Sequence, residues 1–357
     1  MIINQWVPAA HEGDAIGDSA RRVRGLLRRM GHRSDIFALT IDEALEGDVK
    51  RFGGPDARAG DLTIFHYALP SEMTAAFAAL PRGRVLQYHN ITPAHFFAPY
   101  DAALFRLARL GRLELTTLRG HVELALGDSE YNRRELETLG FAPTGVFPIA
   151  VSWDRITNSS PMPALEEVLA DGLLNFLFVG RIAPNKKIED ILLLGEHFKR
   201  YVNVDYRFLF VGKYDVVPRY HAALRAMINQ YEMPKERFLF LGAVTDDELA
   251  ACYRTADVYL SLSEHEGFCV PLVEAMAADV PVLAYAAGAV PDTLGGAGVL
   301  FSPKELEYVA ELLGVLALDD RVREQIIAGQ RRRLLDFGAG VIEHHLVELL
   351  DRAGQGW

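Results

Sequence analysis

The stretch SEHEGFCVPLVEAMAADVPVLAY, residues 263–285, contains a change of period that predicts how the chain folds around it. Short apolar runs of strand length lie at both ends of this region. Between them, Gly267 suits a loop, and Pro271 is the residue type that favours the first position of a helix. This region and the six residues before it therefore predict, in order, a strand at 257–262, a loop at 263–270, a helix at 271–278 and a strand at 280–284.

Two glutamates, Glu266 and Glu274, lie eight positions apart in this mostly apolar region, which raises the question of a glycosidase-like acid and base pair. Such a pair flanks one bond at roughly 5 to 10 Å. In one continuous helix the two residues would lie about 12 Å apart along the axis and roughly 80° apart around it, so the side chains would not converge. The predicted elements instead place Glu266 before the helix and Glu274 in its first turns, facing away from the core. A helix N-terminus attracts phosphate, so a phosphate-bearing ligand bound there would lie beside both glutamates. We therefore expect both carboxylates to contact one ligand. The alternative is that both are solvated glutamates.

The composition predicts an ordinary globular protein. At 357 residues, of which 50% are hydrophobic and 24% charged, the chain is long enough for two domains with separate cores. No apolar run approaches the roughly 20 residues that span a bilayer, and residues 1–17 lack the features of a signal peptide. Cys252 and Cys269 form no Cys-x-x-Cys pair, so we expect reduced thiols, a cytoplasmic location, and neither a disulfide framework nor a zinc site.

The net charge of −11 is distributed unevenly along the chain. Residues 1–150 hold 17 Lys and Arg against 18 Asp and Glu, so nearly all of the excess acidity lies in the second half. The first half carries two clusters of arginines on predicted helices: Arg21, Arg22, Arg24, Arg28, Arg29 and Arg33, and Arg106, Arg109 and Arg112. Such clusters leave open a peripheral contact with an anionic membrane, beside the alternative of solvated helix faces. Nucleic acid is not expected as a partner, because the chain is acidic and shows no basic groove interleaved with aromatics.

Apolar, β-branched runs alternate with helical patterns along the whole chain, which is typical of parallel sheets with crossover helices. The polar segment SWDRITNSSPMP, residues 152–163, interrupts this alternation as a linker would. The predicted fold class is α/β, with two Rossmann-like, doubly wound parallel-sheet domains that face each other across a cleft. The predicted parts are an N-terminal domain at 1–151, a linker at 152–172, a second domain at 173–335 and a C-terminal helix at 336–357 that can pack back on the first domain.

Two cations follow the first predicted strand of the second domain. In FVGRIAPNKKIED, residues 178–190, that strand ends in a turn at Gly180 and presents Arg181 and Lys186 just before a helix. Arginine offers a planar fork to phosphate oxygens and lysine a mobile point charge, so the pair suits a diphosphate. Solvated cations are less expected at a helix start, because positive charge opposes the dipole there. Lys187 is an alternative to Lys186 that the spacing does not exclude.

In the first half, the loop after the first predicted strand carries a weaker signal. HEGDAIGDSARR, residues 11–22, offers Gly13 and Gly17 for backbone approach to a ligand, with Asp18 or Ser19 as the cap of the next helix. The glycines are four positions apart, so the dinucleotide motif Gly-x-Gly-x-x-Gly is not present here. A glycine-containing turn is also an ordinary way to leave a strand.

His89, in VLQYHNITP, lies at the end of another predicted strand, where it can hydrogen-bond a sugar hydroxyl in the cleft. His66 ends the preceding strand and is an equally placed alternative, and a structural role is open for both. Ser129, in LGDSEYNRREL, precedes a predicted helix, and helix capping alone explains it.

GRIAPNKK, followed about eighty residues later by SEHEGFCVPLVEAMA, resembles the second domain of the retaining glycosyltransferases of family 4, which have the GT-B fold. Their signature is a glutamate, seven residues and a second glutamate, as in Glu266 and Glu274. The likeness continues through PVLAYAAGAVPDTLGGAGVLF and, more weakly, through the N-terminal loop, YHNITP and GDSEYN, so it spans most of the chain. It implies transfer of a hexose-type sugar from a UDP- or GDP-sugar to a glycan, lipid-linked or small-molecule acceptor, in bacterial-type polysaccharide or glycoconjugate synthesis.

Carried over position by position, the resemblance implies catalytic roles for four residues: Arg181, Lys186, Glu266 and His89. The two cations hold the diphosphate and stabilise it as the leaving group, while the other two lie near the transferred sugar. The implied donor-binding residues are Glu274 on the ribose, Gly267, Phe268, Cys269 and Val270 on the sugar, and Gly13, Gly17 and Gly180 beside the diphosphate. None of these is a nucleophile, so the resemblance implies a front-face retaining mechanism, in which the leaving phosphate receives the acceptor's proton.

No Asp-x-Asp occurs in the chain, so no metal or other cofactor is expected with the donor. The chain departs from the family pattern at Cys269 and Ala289, where glycines are usual, and at Asp279. A side chain at Cys269 is expected to narrow the approach to the sugar. Two alternatives therefore stay open: a nucleotide-sugar epimerase or hydrolase of the same fold, and a non-catalytic sugar-nucleotide binder.

Overall fold

The computed structural model describes residues 1–202 and 204–354, which divide into two compact units. Unit 1 comprises Met1–Ala94, Ala103–Val151 and the chain from Asp336 onward; unit 2 comprises His95–Ala102 and Ser152–Leu335. Each unit holds one parallel sheet, so the predicted α/β class with two Rossmann-like domains is confirmed. No described helix is long and apolar enough to cross a membrane.

The sheet of unit 1 has seven parallel strands in the order β3-β2-β1-β4-β5-β6-β7. The strands are β1 Ile3–Ala10, β2 Ile36–Ile41, β3 Lys50–Arg51, β4 Leu62–Tyr67, β5 Arg84–Tyr88, β6 Leu124–Gly127 and β7 Thr144–Val146. The helices are α1 Ala15–Arg29, α2 Met73–Ala78, α3 Ala102–Thr117 and α4 Glu130–Thr138. The strand order reverses between β1 and β4, which in such sheets marks the edge where ligands bind. The two-residue edge strand β3 was not predicted, because so short a run carries no period.

Helix α1 begins four residues earlier than the sequence predicted. Asp14 is its N-cap, with the carboxylate accepting a hydrogen bond from Gly17 N at 3.0 Å. The predicted cap at Asp18 or Ser19 is therefore wrong, and Gly17 lies in the first turn of α1 rather than in a loop. Ser19 has a different function, since its hydroxyl accepts from Ala150 N at 3.0 Å and fixes the chain after β7.

The sheet of unit 2 has six parallel strands in the order β10-β9-β8-β11-β12-β13, which reverses between β8 and β11. The strands are β8 Leu174–Val179, β9 Tyr206–Val211, β10 Phe238–Gly242, β11 Val258–Ser261, β12 Val282–Tyr285 and β13 Val299–Phe301. The helices are α5 Asp154–Thr157, α6 Pro163–Leu169, α7 Ile188–Tyr201, α8 Pro218–Gln230, α9 Asp246–Arg254, α10 Val270–Ala277, α11 Val290–Leu294, α12 Leu306–Leu318 and α13 Asp320–Leu334. The segment 152–172 belongs to unit 2 and carries α5 and α6.

The last helix, α14 Ala339–Gly354, belongs to unit 1. Its buried residues Ile342, Leu346 and Leu349 share a core cluster with Phe147 and with residues of α1, β4 and β6. Burial of three such side chains is worth roughly 1.5 to 3 kcal/mol each, so this helix contributes to the stability of unit 1. Residues 355–357 of the predicted C-terminal helix lie outside the described residues.

Candidate functional site

The carboxyl end of β8 leads into the first part of the site in unit 2. The turn at Gly180 lies so close to the end of β9 that a Cβ on Gly212 would lie 2.1 Å from the carbonyl oxygen of Gly180. Only glycine fits such an approach, so the two strand ends stay in contact. After this turn, a 3-10 helix at Pro184–Lys186 precedes α7 and presents the side chain of Lys186.

Lys186 and Glu266 form an ion pair at this edge of the sheet. Lys186 Nζ lies 2.6 Å from Oε1 and 2.7 Å from Oε2 of Glu266, and the side chains are 18% and 8% exposed. Lys187, the alternative left open by the spacing, has a left-handed backbone and places its Nζ 2.9 Å from Glu189 Oε1 instead. The structure thus separates the two lysines and brings Lys186 to the first glutamate of the Glu-x7-Glu pattern.

The backbone around Glu266 is held from two sides. Asn185 Nδ2 donates to His265 O at 3.0 Å, and Asn185 O accepts from Glu264 N at 2.9 Å. On the other side, a Cβ on Gly288 would lie 2.6 Å from Glu266 O, while Ala289 N donates to that same oxygen at 3.0 Å. The Glu266 carboxylate is therefore preorganised. Asn185 is a positioning residue that sequence reasoning missed, although it lies inside the quoted motif GRIAPNKK.

Arg181 is the second cation predicted at this edge. Its side chain is exposed, and no described residue forms a hydrogen bond or ion pair with its guanidinium. Because Lys186 is already paired and Arg181 is not, the two cations meet a ligand in different states. An anionic group would bind Arg181 without displacing a partner, whereas it would have to displace the Glu266 carboxylate from Lys186.

Helix α10 begins at Val270, one residue before the predicted start, and Cys269 is its N-cap with φ +71°. The thiol is buried and packs in the core cluster of unit 2 with Leu272, Ala275 and Val282. Burial raises the pKa of this thiol, with a further contribution from the Glu266 carboxylate. The expectation that the Cys269 side chain narrows the approach to a sugar stays a prediction, although the thiol packs in the core cluster.

Glu274 is almost fully buried, at 1% exposure, so the prediction that it faces away from the core is wrong, as is the alternative of a solvated glutamate. Arg155 Nε donates to Glu274 Oε1 at 3.0 Å, and its Nη2 bonds the same oxygen. Tyr253 OH donates to Oε2 at 3.1 Å. Burial, and then the Glu274 charge, raise the pKa of Tyr253 well above its usual value, so this phenol stays a donor. Sequence reasoning missed Arg155, which lies in the polar segment predicted as a linker and carries no motif.

In unit 1, His89 and its alternative His66 belong to one network. His66 Nδ1 lies 2.9 Å from His89 Nε2, and His89 Nδ1 lies 2.8 Å from Asp128 Oδ2. The His89 side chain is only 2% exposed, and both of its ring nitrogens have partners within unit 1. A hydrogen bond from His89 to a sugar hydroxyl stays a prediction, and it requires release from one of these partners. Asp128, which follows β6, was missed because it was considered only as part of a helix-capping segment.

The loop between β1 and α1 is anchored by Asp42. His11 Nδ1 lies 2.8 Å from Asp42 Oδ1, and Glu12 N donates to Oδ2 at 2.9 Å. Gly13 is exposed beside these contacts, whereas Gly17 is buried in α1. Of the two predicted glycines, only Gly13 therefore offers open backbone.

The predicted site residues thus fall into three places. Gly180, Arg181, Lys186 and Glu266 lie at the carboxyl edge of the sheet in unit 2. Gly267, Phe268 and Cys269 follow Glu266 and lead into α10, which begins at Val270. Glu274 lies deeper in that unit, and His89, Gly13 and Gly17 lie in unit 1. Within the part of the chain that the structure describes, no group of three His, Cys, Asp or Glu side chains is placed to hold a metal ion.

The family described as glycosyl transferases group 1 has a model that matches residues 166–333, which lie in unit 2. The chain is similar to the serotype-specific mannosyltransferase WbdA of Escherichia coli, at 23% identity over 172 residues, 48% of this chain and 21% of that protein. It is also similar to the GDP-mannose-dependent alpha-mannosyltransferase of Mycolicibacterium smegmatis, at 36% identity over 111 residues, 31% of this chain and 25% of that protein. The matches thus span only about a fifth to a quarter of these relatives.

Among solved structures, HepE of Anabaena in complex with UDP-glucose matches 98% of this chain and 99% of its own, with a TM-score of 0.74. The sequence identity is 17%, so this likeness shows the fold alone. The GT-B fold predicted from the sequence is confirmed by such neighbours and by the two parallel sheets.

Proposed function

Because residues 166–333 of this chain match the model of the glycosyl transferases group 1, we propose that the protein is a retaining glycosyltransferase that uses a nucleotide-diphosphate sugar. The observation that carries the proposal is the Lys186–Glu266 ion pair beside the unpaired Arg181 at the carboxyl edge of the sheet in unit 2. Two cations at one strand end suit a diphosphate, and the carboxylate beside them suits the hydroxyls of the sugar that the diphosphate carries.

Binding of the donor exchanges one partner of Lys186 for another. The diphosphate oxygens take the place of Glu266 at Nζ, which leaves the Glu266 carboxylate to accept hydrogen bonds from sugar hydroxyls. Arg181 and Lys186 then stabilise the charge that develops on the departing diphosphate, and a leaving phosphate oxygen receives the proton of the acceptor. Catalysis is mostly positioning and electrostatic stabilisation, which need no nucleophile from the protein. The buried Glu274 lies on the ribose side of the donor, and Arg155 fixes its carboxylate by donating to Oε1.

A thermal-shift screen followed by product analysis tests the proposal. GDP-mannose and UDP-glucose are the first probes, because a relative is named for the former and a structural neighbour was solved with the latter. A donor at about 100 times its Kd stabilises the protein by about 2.7 kcal/mol. We expect a shift with at least one donor, and a product whose anomeric configuration in the ¹H NMR spectrum matches that of the donor.

Other outcomes of this screen distinguish the alternatives. Donor turnover without any acceptor indicates an epimerase or hydrolase, and binding without turnover over a broad acceptor panel indicates a sugar-nucleotide binder. An inverted product contradicts retention. Because Arg181 and Lys186 supply the positive charge in this proposal, EDTA is expected to leave turnover unchanged, and loss of turnover restored by Mg²⁺ would contradict a metal-free mechanism.

We also propose that the acceptor is lipid-linked and is met at an anionic membrane surface through α3. Arg106 and Arg109 are exposed and unpaired among the described residues, and they share one face of α3 with Leu110 and Leu113, which are 53% and 59% exposed. Exposed leucines beside arginines suit a surface of anionic lipid. Arg112, the third member of this cluster, is different, since it bonds the backbone within unit 1.

Three of the six arginines in the other cluster form ion pairs within unit 1. Arg21, Arg24 and Arg28 pair with Asp18, Asp48 and Asp35. Co-sedimentation with phosphatidylglycerol vesicles tests the arginines of α3, since each surface arginine contributes roughly 1 kcal/mol. Arg106→Ala with Arg109→Ala should lose binding, whereas Arg119→Ala, an exposed arginine just after α3, should keep it. Binding that is insensitive to salt and to the double variant would contradict the proposal.

A further inference from the structure

Four polar side chains form a continuous buried hydrogen-bond chain across the sheet of unit 1. Gln5 on β1 contacts His66 on β4 at 3.0 Å, His66 contacts His89 after β5 at 2.9 Å, and His89 contacts Asp128 after β6 at 2.8 Å. β1, β4, β5 and β6 are consecutive neighbours in the sheet, so the chain crosses from strand to strand without a gap. Gln5, His66 and Asp128 are at most 2% exposed, and so is the side chain of His89, which makes the position of every proton in this network consequential.

The hydrogen bond between Gln5 and His66 has a fixed donor and a fixed acceptor. Gln5 Nε2 donates to Ala20 O at 3.0 Å, so the Gln5 oxygen is the atom that faces His66, and it accepts from Nε2–H of His66. Burial, with the neighbouring His89, lowers the pKa of His66 well below its usual value, so this ring is neutral. A neutral ring that carries its proton on Nε2 offers a lone pair at Nδ1. His89 must therefore donate its Nε2–H to His66.

Asp128, at the other end of this hydrogen-bond network, also presents an acceptor to His89. Gln87 Nε2 donates to Asp128 Oδ1 at 2.6 Å and to Phe147 O at 2.7 Å, which orients the Gln87 amide and leaves Asp128 Oδ2 to face His89. His89 thus lies between two acceptors, His66 Nδ1 and Asp128 Oδ2. Buried polar groups keep their hydrogen bonds, and a donor on a cation strengthens the bond to a carboxylate.

We infer that Asp128 and His66 hold His89 as an imidazolium with a proton on each ring nitrogen, which makes Asp128 and His66 positioning residues for it. A buried cation therefore lies at the carboxyl edge of the sheet in unit 1. His89 supplies positive charge and cannot serve as a general base, because both of its nitrogens already carry protons. The protonation state stands without the proposed function, whereas its kinetic consequence rests on that proposal.

The backbone that carries this cation is fixed as well. His89 N donates to Tyr67 O at 3.0 Å. Two residues later, Ile91 O accepts from Arg112 at 2.7 and 3.1 Å, and Arg112 also pairs with Glu135. The ring has little freedom to turn toward another partner, so its charge is delivered in one place.

Long-range ¹H–¹⁵N NMR of the full chain with ¹⁵N-labelled histidine tests the inference directly. Each imidazole state has its own pair of nitrogen shifts, and His66→Gln and His89→Gln assign the two signals. At pH 7.5 we expect a neutral His66 with its proton on Nε2 and a His89 with both nitrogens protonated. A neutral His89 in the wild type, with Asp128 as the acid, would overturn the inference whatever the enzyme does.

The isosteric Asp128→Asn variant adds a second readout. Its amide can donate to His89 Nδ1, so we expect the Nδ1 proton of His89 to disappear and the ring to become neutral. With a donor that the wild type turns over, kcat should fall on the order of tenfold or more while the donor KM stays within about threefold. Asp128→Glu, which keeps the carboxylate, should restore the doubly protonated signal. An unchanged His89 spectrum in Asp128→Asn contradicts the assigned role of Asp128, whereas a changed spectrum without any glycosyl transfer in the wild type sinks only the proposed function.

Discussion

The carboxyl edges of the two sheets carry polar residues of opposite character. In unit 2, Lys186 and Glu266 form an ion pair that is 18% and 8% exposed, beside the exposed Arg181. In unit 1, His89 and Asp128 are 2% and 1% exposed and belong to a closed hydrogen-bond chain. The Lys186 ammonium has one carboxylate partner and is partly exposed, so it can exchange that partner for an anionic ligand, whereas both ring nitrogens of His89 have partners that hold the ring in place. The difference teaches that a charged side chain at a strand end can either exchange its partner for a ligand or be held in one position. The number of partners within the protein distinguishes the two cases.

Glu266→Gln should have the largest effect, because it removes the charge that both pairs with Lys186 and accepts from the sugar. We expect turnover to fall on the order of 100-fold, which corresponds to a few kcal/mol of lost transition-state stabilisation. Glu264→Gln is the matched control, since Glu264 lies two positions away and pairs with Lys304 at 2.9 Å instead. Steady-state kinetics with the donor found in the screen decide the matter, and equal losses in both variants would contradict an exchange site at Glu266.

Arg155→Ala tests the buried pair below that edge. It leaves the Glu274 carboxylate, 1% exposed, without its cation, so we expect the free energy of unfolding of unit 2 to fall by on the order of 3 kcal/mol. Arg254→Ala removes a more exposed arginine–glutamate pair in the same unit, at Glu166, and should cost less than about 1 kcal/mol. Urea unfolding provides both values. Similar losses of unfolding free energy in the two variants would show that the buried pair stabilises unit 2 no more than the exposed pair does.

Acid should weaken unit 1 through His66. Its pKa is lowered in the folded state, so below about pH 6.5 the unfolded chain binds a proton at this residue that the folded chain does not. Stability therefore falls as the pH drops below 6.5, by up to about 1.4 kcal/mol per pH unit from this group. Hydrogen exchange of unit 1 peptides at pH 7.5 and 5.5 measures the change, which should be smaller in His66→Gln. An equal change in the two proteins would mean that His66 is not the group responsible.

Cys269→Gly should have the smallest effect. Glycine relieves the left-handed backbone at φ +71°, which costs other residues about 1 kcal/mol, but it also removes a small buried side chain. The two contributions are similar, so we expect stability within about 1 kcal/mol of the wild type and a donor KM within about threefold. A large change in donor specificity would show that the thiol reaches the sugar after all.

Regular elements were predictable from the sequence, and side-chain partners were not. The apolar runs at 257–262 and 280–284 located β11 and β12 to within about two residues, because burial of a parallel strand needs a continuous run. The edge strands β3 and β13 were missed, since two and three residues carry no period. The motif GRIAPNKK located Lys186, but its pairing with Glu266 joins residues 80 positions apart, and Arg155 lies 119 positions from Glu274.

The start of α1 was predicted wrongly because two residues compete as its N-cap. Asp14 and Asp18 are both good caps, and the sequence alone does not distinguish them. Helix α1 starts at the earlier one because Ile16 can then pack against the core cluster of β1 and β2. Tertiary packing thus selected among equivalent local signals, which is also how His66 and His89 came to share one network.

Titration calorimetry with the donor found in the screen tests the central claim most directly, in the wild type, Lys186→Ala and Lys187→Ala. The two lysines are adjacent, but one pairs with Glu266 and the other with Glu189. A charged hydrogen bond is worth about 1.5 to 3 kcal/mol, so Lys186→Ala should weaken the donor Kd on the order of 10- to 100-fold, while Lys187→Ala stays within about threefold. Donor binding by Lys186→Ala that is as tight as in the wild type would contradict a diphosphate site at this edge.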